Sequence, residues 1–154
     1  SLLRSVGWLN KSQQVNAPGA QMPGDFTTNF MLLPLETDQN PAELLRTGAT
    51  YQAPLRAFQY SEKPAKSRHS YVTLNSDDIV MTALKAPQNG DGLIMRVLNA
   101  TDKDSQVVIQ PSGKVLSASK VNFAEQHESD LTINEEGVTL PLKSQQIATI
   151  RLQF

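Results

Sequence analysis

Apolar residues cluster most densely between Ser76 and Thr101, in the stretch SDDIVMTALKAPQNGDGLIMRVLNAT. Two runs, Ile79 to Lys85 and Leu93 to Asn99, predict strands. Between them Pro87-Gln88-Asn89-Gly90-Asp91-Gly92 combines a proline with Asn-Gly and Asp-Gly, residues that tolerate positive φ and so reverse the chain. Ile, Val, Met and Leu fall on both faces of these runs, which predicts a hairpin in the middle of a sheet, covered on each side. Further short strands follow: Tyr71 to Leu74 before the hairpin, then Gln106 to Gln110, Lys120 to Ala124, and Gln146 to Phe154. In the last of these Ala148, Ile150, Leu152 and Phe154 fall on one face and Thr149, Arg151 and Gln153 on the other. Asp130 to Asn134 is expected to pair with Val138 to Leu142, with Leu131 and Ile133 on the core side. Pro141 cannot donate to a ladder, so its strand is expected at an edge or a bulge. Strands spaced by roughly 8–12 residues with turn signals between them predict an antiparallel β-sandwich.

The first third reads differently. Leu2 to Leu9 is a short apolar strand, Asn10 to Asp25 a polar loop with two Pro-Gly pairs, and Phe26 to Leu35 an alternating strand. A chain that opens inside a strand is expected to be an excised fragment. Asn40-Pro41-Ala42-Glu43 is a helix-start signal, predicting a short helix from Ala42 to Thr47 with Gly48 at its end. Tyr51 to Phe58 is expected to be extended. The serine-, lysine- and proline-rich Ser61 to Arg68 then reads as a linker or long loop between two units.

Composition narrows the function classes. The chain has 154 residues, enough for one domain or one and part of another, with a net charge of -1 and interspersed charges. That gives no basic face for nucleic acid and no polybasic membrane anchor. No apolar run approaches the ~20 residues of a membrane span. With no cysteine there is no disulfide framework and no cysteine-ligated metal, which fits a reducing, cytoplasmic setting.

Chemistry-bearing residues are sparse. His69 and His127 are the only histidines, far apart and without a partner at metal-ligand spacing. Asp77-Asp78, Asp102 with Asp104, and Glu135-Glu136 are carboxylate pairs. Each falls in a turn, where such residues solvate or cap the chain rather than flank a scissile bond. Gly90-Asp91-Gly92 precedes no helix and is no phosphate loop. Asn10-Lys11-Ser12 and Asn99-Ala100-Thr101 match the glycosylation acceptor pattern. Trp8, Tyr51 and Tyr60 could stack on a sugar ring, but isolated aromatics in strands are more often core, because each buries a large apolar area. Arg4, a charge in an apolar strand, is placed either to pair across a domain interface or to face a ligand.

Three stretches together resemble a known family. They are Leu2-Leu3-Arg4-Ser5-Val6-Gly7-Trp8-Leu9; Pro18 to Gly24 running into Phe26 to Pro34; and the strands Ile79 to Lys85, Gly92 to Asn99 and Gln146 to Leu152. In that order they resemble the C-terminal part of glycoside hydrolase family 38, the retaining α-mannosidases, with the opening closest to the bacterial, mannosylglycerate-hydrolase-like branch. The resemblance implies that residues 1–57 are the tail of a large central β-sandwich and residues 58–154 the terminal β-sandwich. The fragment would be a non-catalytic β domain that supports a catalytic barrel and a helical domain of the same parent chain. The aspartate nucleophile, the acid and the zinc of the parent would lie upstream, with no cofactor in this fragment. Arg4 is the one residue the resemblance places near substrate. Two other classes stay open: a carbohydrate-binding module, which needs an exposed aromatic row, and a structural or homo-oligomer-forming domain.

Overall fold

A computed structural model describes residues 24, 25, 27–35, 38–53, 55–59, 61, 62 and 68–154. By internal contacts the chain divides into two units, Ser1–Leu33 and Pro34–Phe154. Among the described residues ahead of the helix there is no strand. Residues 27–35, expected as part of a strand, run without secondary structure and with their side chains exposed, Phe30 and Leu32 among them. No strand among the described residues pairs with them, and alternation alone does not make a strand, which needs a neighbour to take up its N–H and C=O groups. The predicted strand Leu2 to Leu9, with Arg4 and Trp8, lies outside the described residues, as do Tyr60 and most of the Ser61 to Arg68 linker.

The helix α1 spans Pro41–Gln52. Asn40 caps it, its side-chain oxygen accepting from the Ala42 N–H at 2.9 Å, while Pro41 supplies a pre-set φ in the first turn and Glu43 a favourable charge there. The helix does not stop at Gly48 as expected. Gly48 keeps an ordinary helical φ, and the helix runs on through Tyr51 and Gln52, residues expected to be extended. It ends beside Pro54, whose ring disfavours helical geometry in the residue before it. Residues 55–59 that follow are exposed and carry no strand.

The remainder is an all-β sandwich. One sheet contains β1 (Val72–Leu74), β4 (Ser105–Pro111), β8 (Gly137–Leu142) and β7 (Ile133–Asn134), in the order β1-β4-β8-β7. The other contains β2 (Ile79–Lys85), β3 (Leu93–Asn99), β9 (Ile147–Gln153), β5 (Ser117–Val121) and β6 (His127–Asp130), in the order β2-β3-β9-β5-β6. All pairings are antiparallel. Ile79, Met95, Val97, Ile150 and Leu152 from the second sheet meet Val107, Ile109, Val138 and Leu140 from the first, all at 2% exposure or less. Burying each such side chain is worth about 1.5–3 kcal/mol, so this interface is the main source of stability.

Two glycines are demanded by backbone approach. Gly92 immediately precedes β3 and Gly137 opens β8, at φ +114° and +137°, and a Cβ on either would lie 2.3 Å from the carbonyl oxygen of Leu152 or Ile109 on the neighbouring strand.

Several expectations are corrected by the sheet. The β2–β3 hairpin is not central: β3 is, but β2 is an edge strand with a bulge at Thr82, and Met81 and Leu84 are more than 40% exposed. Apolar content shows that a strand wants cover without showing what covers it. The strand expected over Lys120 to Ala124 is displaced to Ser117–Val121, where β9 supplies the ladder, and residues 122–126 turn instead. Asp130 to Asn134 does not pair as one strand. Asp130 belongs to β6, and only Ile133 and Asn134 pair with β8. Leu131 packs on the core as expected, but Ile133 is 39% exposed, and so is Phe154, at 51%. Pro141 pairs with Gln106 of β4; on its other side β7 has already ended, so it stands at a locally open edge.

Candidate functional site

The groups singled out from the sequence are dispersed. His69 stacks edge-on against Tyr71, while His127 lies 2.9 Å from the Asp130 carboxylate. Among the described residues no cluster of three or more His, Asp or Glu side chains is arranged to hold a metal, so these residues do not fit a zinc site. Asp78 accepts from the Asn40 side chain at 3.1 Å, and Asp77 offers its backbone carbonyl to Arg46 at 2.8 Å. Both aspartates therefore serve to hold α1 against the start of β2. Asp104 is paired with Lys143 at 2.6 Å and accepts from the Ser144 N–H. The Lys143 bond, with help from that N–H, holds the Asp104 carboxyl below its ordinary range and in turn raises Lys143. Glu135 and Glu136 are exposed in the β7–β8 turn. Asn99 is fully buried, so the Asn99-Ala100-Thr101 triplet is no acceptor for a sugar in the folded protein. Tyr51 is 45% exposed on α1. Arg4, Trp8, Tyr60 and the Asn10 triplet lie outside the described residues.

The helix also covers part of an edge. Arg46 donates to the carbonyl oxygens of Asp77 and Ile79, at 2.8 and 3.0 Å, taking up edge acceptors that have no strand beside them. Next to this contact lies an open cleft of about 500 Å³, with Val72, Leu74 and Met81 on its apolar wall and Arg46, Thr50 and Asp77 on its polar one. Past Ile79 no strand among the described residues pairs with the outer edge of β2.

The densest polar arrangement is on the outer face of the five-stranded sheet, where sequence reasoning had placed nothing. Arg96 and Arg151 occupy outward positions of β3 and β9, at the centre of the sheet. Arg96 donates through Nε to Thr149 Oγ1 at 3.1 Å and lies 4.5 Å from the ring centroid of Phe123, a cation–π contact. The Arg151 Nη2 group donates to the carbonyls of Asn89 and Asp91, both at 2.9 Å, and so fastens the β2–β3 turn to the sheet.

A second turn is fastened opposite. Asn122 accepts from the N–H groups of Ala124 and Gln126, and Glu125 takes φ +62°, unusual for a residue with a Cβ. That geometry aims the Glu125 carboxylate at Lys85 and at the Gln88 N–H, 2.6 Å away. The Lys85 bond first, then the Gln88 N–H, hold Glu125 below its ordinary range. Between this turn and β6, a cleft of about 410 Å³ opens over Ser119, Glu125, His127, Asp130, Arg151 and Gln153. The partners lie far apart in sequence, Lys85 and Glu125 by 40 positions. The one available signal was a lone arginine in each of two otherwise apolar strands.

Comparison with known proteins agrees with the fold. Residues 78–150, from the start of β2 into β9, match the family described as "Glycosyl hydrolases family 38 C-terminal beta sandwich domain". The chain is also 26% identical, over 157 aligned positions, to a protein of Halalkalibacterium halodurans named "Putative mannosylglycerate hydrolase". That alignment takes in 99% of this chain, which spans 17% of the length of this curated relative.

Proposed function

We infer, from the match to the C-terminal β-sandwich domain of glycosyl hydrolase family 38, that this chain is the supporting, non-catalytic β domain of a larger retaining α-mannosidase. The observation that carries the reading is the match over residues 78–150, which takes in the two-sheet sandwich except for β1 and the end of β9. The 17% share of the relative's length supports a parent that carries its catalytic apparatus elsewhere. In this reading hydrolysis with retention uses a nucleophile and an acid of the parent barrel, and zinc binds there too. The resemblance of the opening stretch supports assigning residues 1–57 to the tail of a preceding sandwich and Arg4 to the neighbourhood of the substrate.

The length of β2 that no described strand covers is the surface through which the domain packs on the rest of the parent. Met81 and Leu84 are 42% and 43% exposed along an open edge that α1 covers only as far as Ile79. Natural sheets rarely leave such edges bare. Hydrogen–deuterium exchange compares the isolated chain with the full-length parent. Amides of residues 81–85 exchange more slowly in the parent if the edge is covered there; equal exchange in the two overturns the docking.

A further inference from the structure

The cleft beside β6 has a composition that the scaffold reading does not require. Ser119 of β5 pairs in register with Arg151 of β9 on one side and with Asp130 of β6 on the other. A guanidinium, a hydroxyl and a carboxylate therefore stand in a row on one face, spanning about 10 Å at the usual strand spacing. Arg151 Nε is a buried donor without an acceptor among the described residues. Its own Nη2 is spent on Asn89 and Asp91, so the guanidinium is held in place with that donor spare. The charges are balanced: Lys85 neutralises Glu125, and Arg151 stands across from Asp130, whose Oδ1 also meets His127 Nε2 at 2.9 Å and whose other oxygen is left to a ligand. The volume, about 410 Å³, falls within the range of small-ligand sites.

We propose that this cleft is a binding subsite for a neutral, hydroxyl-rich ligand, a single sugar unit, held across Arg151, Ser119 and Asp130. The proposal goes beyond the scaffold role and does not depend on where hydrolysis occurs. Balanced charge favours a neutral ligand over a phosphate or an organic cation. Neighbouring hydroxyls of a sugar both donate and accept, which suits a fixed cationic donor beside a hydroxyl and a carboxylate. Val121, two positions along β5 from Ser119 and on the same face, leaves an apolar floor for the C–H face of the ring.

The test is an amide NMR titration of the 154-residue chain with methyl α-D-mannopyranoside, methyl α-D-glucopyranoside and inorganic phosphate. The expected result is saturable shifts at Ser119, Val121, Asp130 and Arg151 with a glycoside and none with phosphate. Ser119→Val then weakens binding roughly tenfold, the worth of one hydrogen bond left unmade. Asp130→Asn, at an exposed position where folding is not at stake, weakens it as well, and Phe123→Ala leaves it unchanged. Shifts that stay linear with concentration, saturation by phosphate instead, or loss on Phe123→Ala with Ser119→Val neutral would each overturn the proposal. Activity of the parent is read separately, so failure here leaves the family reading standing.

Discussion

Replacing Asn99 by alanine should cost more than any surface change in this domain. Asn99 ends β3 at 0% exposure. Its amide donates to the carbonyls of Lys103 and Lys143, at 2.7 and 2.9 Å, and its side-chain oxygen accepts from the Thr101 N–H and hydroxyl, at 3.1 and 2.9 Å. One side chain thereby joins the β3–β4 turn to the β8–β9 turn. Each bond is worth about 1 kcal/mol net, which sets a ceiling near 4 kcal/mol. Water can reach part of the vacated site in Asn99→Ala, so the expected loss is about 3 kcal/mol. Urea unfolding followed by far-UV circular dichroism measures it as a lower midpoint with the slope unchanged. Asn99→Asp adds a pH arm. A buried carboxylate facing two carbonyl oxygens has its pKa raised on folding, so the folded state binds more protons and the variant loses further stability as pH rises from 4 to 7. A loss below about 1 kcal/mol in Asn99→Ala, or an Asn99→Asp penalty that shrinks with rising pH, would refute the reasoning.

Gly137→Ala should destabilise by about 2–4 kcal/mol in the same assay, since its Cβ would meet the Ile109 carbonyl at 2.3 Å in a φ that favours glycine. Arg46→Ala should leave the sandwich folded but speed amide exchange in α1, with a loss of about 1 kcal/mol. The depressed Asp104 and Glu125 contribute stability that is present above the ordinary carboxylate range and lost as pH falls through their lowered values, whereas raised Lys143 contributes below the ordinary lysine range and loses its share as pH rises through its own. A pH titration of the unfolding midpoint should therefore be highest between those ranges, and Asp104→Asn should flatten both its acid and alkaline limbs.

The sandwich was legible wherever alternation met strong turn chemistry. β9 shows Ala148, Ile150 and Leu152 inward, and the Asn-Gly and Asp-Gly turn closes the β2–β3 hairpin where expected. What was not legible depended on neighbours. Small polar residues such as Ser117 and Ser119 gave β5 no apolar signature, and only its pairing with β9 defines it. The edge position of β2 follows from the order of strands, which no local pattern encodes. The outer-face cluster was hidden for the same reason, since Arg96 meets Phe123 and Lys85 meets Glu125 only after the sheet has formed. The carboxylate pairs, by contrast, were placed correctly in turns, and their partners show why: Asp104 fastens Lys143 and Ser144 across the end of the sandwich, and Asp78 holds the helix cap.

The most direct test of the central claim is hydrolysis of aryl α-mannosides and of mannosylglycerate, measured for the full-length parent with and without a chelator and for this chain alone. The account predicts that the parent cleaves an α-mannoside, that the chelator stops it, and that the isolated chain releases nothing. Chelator-sensitive release by the isolated chain, or a parent silent on every α-mannoside, would contradict it.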